Sequence, residues 1–158
     1  MEKYFVLFIT VVFVICGLVY WFRPIKEVQA QQQKVGKSDF GIVYIDTDTI
    51  NTLKKDNSYY LIVSVEEIYT DKQFLQQLEQ NEETKDAVSA LDLYMFTNDG
   101  KFYCMPQRFL VNKDNKVCAN LGSDMQMKAI NKKIISDIYV SSLKFLENKQ
   151  RIQTMMNK

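Results

Sequence analysis

The hydrophobic pattern of this chain begins with a continuous apolar run and then changes to short alternating segments. Residues 4–22 contain no charged residue, no Asn, no Gln and no Pro, and Arg23 ends the run. A helix over this run is about 28 Å long, close to the ~30 Å hydrocarbon core of a bilayer. Tyr20 and Trp21 lie where interfacial aromatic residues are expected. The pattern therefore predicts a transmembrane anchor within residues 1–22.

Three alternatives for this run remain open, and each meets a difficulty. A cleavable signal peptide cut after Ala30 would place the charged residues of 23–27 just before the cleavage site, which suits such a site poorly. Lipoprotein processing at Cys16 needs small residues upstream, but Val14 and Ile15 precede it. A buried core helix seldom stays apolar on every face over such a length. The uncleaved anchor is the interpretation that meets none of these difficulties.

Charged residues and cysteines disagree about the side of the membrane on which the rest of the chain lies. By the positive-inside rule, the basic residues after the run favour the cytoplasm. These residues are Arg23, Lys26, Lys34 and Lys37, whereas Lys3 precedes the run. Cys104 and Cys118 form an even pair outside the run, which suits a disulfide in an oxidising compartment. We predict this disulfide, with α-carbons within about 7 Å, and an extracytoplasmic domain. Should the two cysteines lie far apart, the basic residues become the stronger indication.

Composition divides the rest of the chain into a polar linker over residues 23–38, a domain over 39–149 and a flexible tail over 150–158. The formal net charge is +1, with acidic and basic residues interspersed. Because a nucleic-acid backbone requires a basic stripe, nucleic acid is excluded as a predicted partner. The predicted partner is the lipid bilayer, through residues 4–22, and any protein partner stays unidentified.

Apolar periodicity within the domain predicts both strands and helices. Asp71 and Asn131 are suited to cap helices, and Pro106 predicts an edge strand or a break, because it cannot donate to a ladder. The predicted strands cover residues 40–45, 59–69, 91–96, 101–111 and 116–119, with hairpin turns at 98–100 and 112–115. The expected fold class is α+β: a transmembrane helix, then a small antiparallel sheet of about four to six strands with helices packed on one face.

The segment over residues 42–50, IVYIDTDTI, resembles the first motif of the haloacid-dehalogenase phosphatases. That resemblance implies Asp46 as nucleophile, Asp48 as acid/base and Mg²⁺ as cofactor. However, that fold has a helix after the motif, where strand 59–69 is predicted here, and residues 122–124 are a poor substitute for its acidic motif. The alternative is a turn at the end of a strand, held by side-chain hydrogen bonds. We predict that Asp46 and Asp48 cap such a turn and hold no metal.

A longer stretch, about residues 40–146, resembles the surface-adhesin protein E type of domain. The resemblance lies in the order of the segments 44–50, 59–69, 103–104, 108–110 and 115–117 and a closing helix. It implies a small exported domain with an antiparallel sheet, in a type of which some members bind host matrix or plasma proteins. The chain lacks the tryptophans typical of the strands and carries an anchor in place of a cleavable leader. The resemblance therefore bears on fold and compartment alone.

The absence of histidine from the chain removes Ser-His and Cys-His nucleophile pairs and imidazole metal ligands. Cys104 and Cys118 lack the companions of a zinc site, and Glu66 and Glu67 are expected to be solvated. No catalytic residue, cofactor or metal ligand is predicted. The sequence thus predicts a membrane-anchored, non-catalytic, extracytoplasmic module with a binding or envelope-associated structural role. The alternatives are the phosphatase using Asp46 and Asp48, and a cytoplasm-facing accessory subunit of a membrane complex.

Overall fold

A computed structural model describes residues 32–55 and 57–156. The predicted anchor over residues 4–22 lies outside this part of the chain. No helix within the described residues is both long enough and apolar enough to cross a membrane. Residues Gln31–Lys158 make up one compact unit.

This unit contains an antiparallel seven-stranded sheet and two helices. The strands are β1 (Gln32–Lys37), β2 (Gly41–Asp46), β3 (Asn51–Lys55), β4 (Ser58–Tyr69), β5 (Ala87–Thr97), β6 (Phe102–Asn112) and β7 (Val117–Ala129), and the helices are α1 (Lys72–Glu79) and α2 (Lys133–Met156). The sheet order is β1-β2-β4-β5-β6-β7, and β3 pairs with β4 beyond the end of β2. The predicted antiparallel sheet with helices is confirmed, although it has more strands than expected.

The local signals in the sequence place the turns and the start of α1 correctly. The Asp71 carboxylate caps α1 by accepting the backbone N–H of Phe74 at 2.7 Å. Gly100 has a φ of 66° in the β5–β6 turn, and Asn115 has a φ of 58° in the β6–β7 turn. Glycine and asparagine are the residues that adopt this left-handed conformation most readily. Both hairpins lie where the sequence predicts them.

Alternation along the strands gives the sheet two unlike faces. One face, here called the helical face, carries two apolar clusters. The larger packs against Ile135 and Ile138 of α2, and its sheet residues are Val43, Ile45, Leu61, Val63, Val65, Tyr94, Phe96 and Met105. The smaller comprises Ala87, Ala90 and Leu110 and packs against Leu78 of α1. Both helices therefore lie on one face, as predicted.

The opposite face, here called the open face, has neither helix packed on it. The strand pairs Ile42–Ile68, Leu91–Phe109 and Val111–Val117 point to this side, since their chain neighbours belong to the helical-face clusters. The open-face apolar residues include Ile42, Tyr44, Leu53, Ile62, Ile68, Leu91, Leu93, Phe109 and Val117, together with Met95, Cys104 and Val111, which are buried.

Several sequence predictions need correction. β1 lies within the predicted linker, because backbone pairing with β2 orders a segment that buries little of its own. β3 was not predicted, and all its residues are exposed, so it carries no burial pattern. β7 extends from Val117 to Ala129, beyond the short predicted strand, and α2 continues past 149 to Met156. Pro106 lies in the interior strand β6, where shifts of register on both sides accommodate the missing N–H.

Candidate functional site

Asp46 and Asp48 lie in a turn between β2 and β3, where the sequence predicts one. The Asp46 carboxylate accepts the backbone N–H of Asp48 at 3.0 Å, and the Asp46 carbonyl accepts the N–H of Thr49 at 3.2 Å. The Thr49 hydroxyl donates to the same carbonyl and accepts the N–H of Ser64 at 2.9 Å. Ser64 lies on β4 between the residues that pair with β2 and those that pair with β3, so this hydrogen bond satisfies a backbone N–H that neither strand reaches. These contacts are those of an Asx-type turn.

The other elements of the phosphatase motif are not brought to this turn. Asp124 lies on β7, and β4, β5 and β6 stand between β7 and β2, a separation of about 19 Å. The sheet is antiparallel throughout the described residues, whereas the phosphatase fold has parallel strands. The structure therefore lacks the arrangement on which that resemblance depends.

The predicted disulfide between Cys104 and Cys118 is wrong, because both cysteines are free. Cys104 pairs with Met95 on the open face, whereas Cys118 packs with the smaller cluster of the helical face. Cys118 lies next to Ala119, which pairs with Leu110 of β6. Leu110 is six residues along β6 from Cys104, a distance of about 20 Å. Two cysteines on opposite faces at this spacing cannot be bridged. The sequence argument that an even cysteine pair indicates an oxidising compartment therefore loses its basis.

A row of charged residues crosses the helical face at the boundary between its two apolar clusters. It is formed by Glu67 of β4, Asp92 of β5 and Arg108 of β6, and we call it the charged row. Each of its members lies between residues of the larger cluster and residues of the smaller cluster on its own strand. Asp92 and Arg108 are direct cross-strand partners. The row thus occupies the part of the helical face that lies between the two clusters.

The Asp92–Arg108 pair is close but not well bonded. The Arg108 Nε lies 3.5 Å from the Asp92 Oδ1, and the two side chains are 34% and 10% exposed. At that distance the charges attract, yet both atoms are buried without a hydrogen bond. Buried polar atoms are almost always hydrogen-bonded, so such exceptions call for an explanation. Within the described residues Arg108 has no other ion-pair or hydrogen-bond partner, which leaves its outer N–H groups free to donate.

Glu66 and Glu67, expected to be solvated, are both half-buried and hydrogen-bonded. Glu67 accepts a hydrogen bond from the Ser38 hydroxyl on the helical face. Glu66 points to the open face, where it accepts from the Gln32 amide at 2.6 Å and from the Ser89 hydroxyl at 3.1 Å. The two carboxylates do face opposite sides of the sheet, as their positions in a strand require. Only Glu67 belongs to the charged row.

Burial raises the pKa of Asp92 to about 6 from its ordinary value of 3.8. The Arg108 guanidinium opposes this rise, and the negative charge of Glu67 adds to it. Burial also raises the pKa of the neighbouring phenols Tyr69 and Tyr94. The cause is desolvation, which disfavours the charged form of each group. Asp92 therefore changes its charge in the range just below neutral pH.

Chemically, the charged row offers a titrating carboxyl, a second carboxylate and a guanidinium with unused donors. A guanidinium with free N–H groups binds carboxylates and other acceptors in a planar, often bidentate geometry. A carboxyl with a pKa of about 6 also has the property required of a general acid or base. No group of three or more Cys, Asp or Glu side chains in the described part of the chain is arranged to hold a metal ion.

Asp92 and Arg108 are not among the residues predicted from the sequence, although the sequence contains a signal for Asp92. Asp92 has the same parity as Tyr94 and Phe96, both of which point into the core. A charged residue at a core-facing position of an apolar strand is costly and therefore informative. Arg108 could not be paired with it, because the shifts of register near Pro106 are not readable from periodicity.

Comparison of the chain with protein-family models, with curated proteins and with solved structures finds no match. The geometry of the chain itself therefore carries the functional argument.

Proposed function

We propose that the chain is a membrane-anchored, non-catalytic binding module, and that a partner protein contacts it at the charged row. The observation that carries the proposal is Arg108, whose Nε is buried beside Asp92 while the side chain as a whole is 34% exposed. A carboxylate or another acceptor on a partner would bind the outer N–H groups of this guanidinium, which have no partner among the described residues. The apolar run over residues 4–22 supports the anchoring.

The binding proposal is tested by photo-crosslinking in the membranes of the organism. A benzophenone amino acid is placed at Asp124 of β7, which pairs with the helical-face residue Met105 and lies close enough to Arg108 for the two charges to interact. We expect a discrete crosslinked protein, which is lost in Arg108→Gln. The matched control is Lys101→Gln, which removes an exposed cation that is 3.5 Å from Asp99, and it should leave the crosslink intact. A product that is absent from the start, or equally strong in both variants, contradicts the proposal.

The non-catalytic part of the proposal is tested by assaying phosphate-ester hydrolysis with added Mg²⁺. We expect no activity above that of an unrelated membrane protein purified in the same way. Hydrolysis that requires Mg²⁺ and disappears in Asp46→Asn would instead support the phosphatase.

For the compartment, we propose the cytoplasmic side, with the chain acting as an accessory subunit of a membrane complex. The separation of Cys104 from Cys118 removes the cysteine argument for the outer side, so the basic residues Arg23 and Lys26 after the run are the stronger indication. The second candidate is the extracytoplasmic side, which the resemblance to exported domains favours.

A new cysteine in the exposed β6–β7 turn distinguishes these two candidates. The variant Asp114→Cys is made in a chain with Cys118→Ala, and Cys104 is retained because it is fully buried. Labelling of intact cells by a membrane-impermeant maleimide supports the outer side. Labelling that requires broken cells supports the accessory subunit.

A further inference from the structure

The open face of the sheet combines exposed apolar side chains with basic residues. Ile68 and Leu91 are each 38% exposed and Val117 is 58% exposed, although Met95 and Val111 on the same face are buried. Neither described helix packs on this side. Exposed apolar side chains grouped on one face of a folded domain usually mark a contact with a protein or a membrane. The charges around them indicate which.

Three lysines lie along one edge of the open face. Lys34 and Lys37 of β1 are paired with Tyr44 and Ile42, and Lys55 of β3 is paired with Ser58. β1 and β3 both lie on the side of the sheet opposite β7, but Lys34 and Lys37 are level with one end of β4 and Lys55 with the other, about 27 Å away along the strand. All three are exposed, and none belongs to an ion pair among the described residues. Lys55 has the same parity on β3 as Leu53, whose partner Tyr60 points to the open face.

The acidic groups of the open face form no ion pair with these lysines among the described residues. The Glu66 carboxylate is held by Gln32 and Ser89, and the Asp46 carboxylate by the backbone of Asp48. A second copy that met this face symmetrically would bring a further set of lysines to it. An anionic surface of another kind therefore complements the lysines better than a second copy does.

We infer that the open face docks on the surface of a lipid bilayer, with the lysine edge at anionic phospholipid headgroups and the apolar residues at the interface. Apolar surface combined with basic residues is the arrangement by which peripheral segments bind anionic membranes. The inference rests on the proposed membrane anchoring. Residues 23–31 separate the apolar run from β1 and span at most about 32 Å when fully extended. The lysines of β1 would therefore stay near the headgroups.

The test uses the full-length chain reconstituted into vesicles of phosphatidylcholine with or without phosphatidylglycerol. An environment-sensitive fluorophore is attached at Leu91→Cys on the open face or, as the matched control, at Val140→Cys on α2, which is 57% exposed. Cys16 and Cys118 are replaced by alanine, and Cys104 is kept because it is buried. Quenching by nitroxide-labelled lipids is measured for each position.

With phosphatidylglycerol present, we expect quenching at position 91 to be several-fold stronger than at position 140. This difference should disappear in phosphatidylcholine alone and in the variant with Lys34, Lys37 and Lys55 all changed to glutamine. Equal quenching at the two positions overturns the docking. The docking is also overturned if the fluorophore at position 91 stays shielded from water in detergent and becomes exposed on dilution. That result would indicate that a second copy of the chain covers the open face.

Flotation of the same samples separates this inference from the anchoring on which it rests. A chain that floats with vesicles but leaves position 91 in water refutes the docking alone. A chain that does not float with vesicles refutes the anchoring and the docking together.

Discussion

The two faces of this sheet are built from alternate residues of the same strands, yet their side chains differ in solvent exposure and in hydrogen bonding. On the helical face Leu61 is 4% exposed, whereas Leu91 on the open face is 38% exposed. The carboxylates differ as well. Glu66 on the open face has both oxygens hydrogen-bonded, whereas Asp92 on the helical face has a buried oxygen without a hydrogen bond. Covering one face with helices thus gives the domain its stability and makes a charge on that face costly.

The largest expected difference between the faces is in the response to lost apolar volume. Leu61→Ala should lower the free energy of unfolding by about 2–5 kcal/mol, because it leaves a cavity under α2. The same change at Leu91 should cost about 1 kcal/mol or less, since this side chain is part-exposed and its neighbours can relax. Urea denaturation of both variants measures the difference. Equal losses would mean that the open face is packed as tightly as the helical face.

A second prediction concerns the pH dependence caused by Asp92. Its pKa in the folded state, about 6, lies above the ordinary value of 3.8, so folding favours the protonated form. The stability that this group contributes is present below about pH 4 and is lost as pH rises through about 6. Relative to the wild type, Asp92→Asn should therefore gain about 1–3 kcal/mol between pH 4 and pH 8.

The measurement for this prediction is the unfolding free energy at a series of pH values. Asp114→Asn, in the exposed β6–β7 turn, is the control and should follow the wild type. A parallel pH profile for Asp92→Asn and the wild type would show that the burial of Asp92 does not perturb its titration.

A third prediction concerns the turn between β2 and β3. Asp46→Ala removes the acceptor for the N–H of Asp48 and should cost about 0.5–2 kcal/mol. Asp48→Ala is the matched control, because the Asp48 side chain is exposed and its backbone supplies the contact. Thermal unfolding of the two variants compares them. A larger loss for Asp48 than for Asp46 would contradict the assignment of the turn.

The smallest expected difference between the faces is in the rate at which Cys104 and Cys118 are alkylated. This measurement uses the wild-type chain. Cys118 is half-buried, so it should react with N-ethylmaleimide in the folded domain. Cys104 is fully covered and its thiol pKa is raised mainly by burial, so it should react only after unfolding. Mass spectrometry of the alkylated protein gives the order. Fast reaction of Cys104 would show that the open face near Met95 opens readily.

Much of the fold could be predicted from local signals, because these signals are local physical requirements. The Asp71 cap, the turn residues Gly100 and Asn115 and the alternation along β4 each correspond to one element. β1 and β3 could not be predicted, because they are ordered by backbone pairing and their side chains show no pattern of burial.

The charged row was harder to predict, because it depends on register across three strands. Alternation could have shown that Asp92 points to the core. The partner of Asp92 depends on the register shift between Leu93 and Met95, which no local rule provides. The cysteine prediction failed for the same reason, since an even count does not show on which face each cysteine lies.

The most direct test of the account is to identify what each face contacts in the same membranes. A photo-crosslinking residue is placed at Asp124, beside the charged row on the helical face, or at Leu91 on the open face, and the adducts are identified by mass spectrometry. The account predicts a protein adduct from position 124 that depends on Arg108, and a phospholipid adduct from position 91. Lipid adducts from position 124 with protein adducts from position 91, or the same adduct from both, would contradict it.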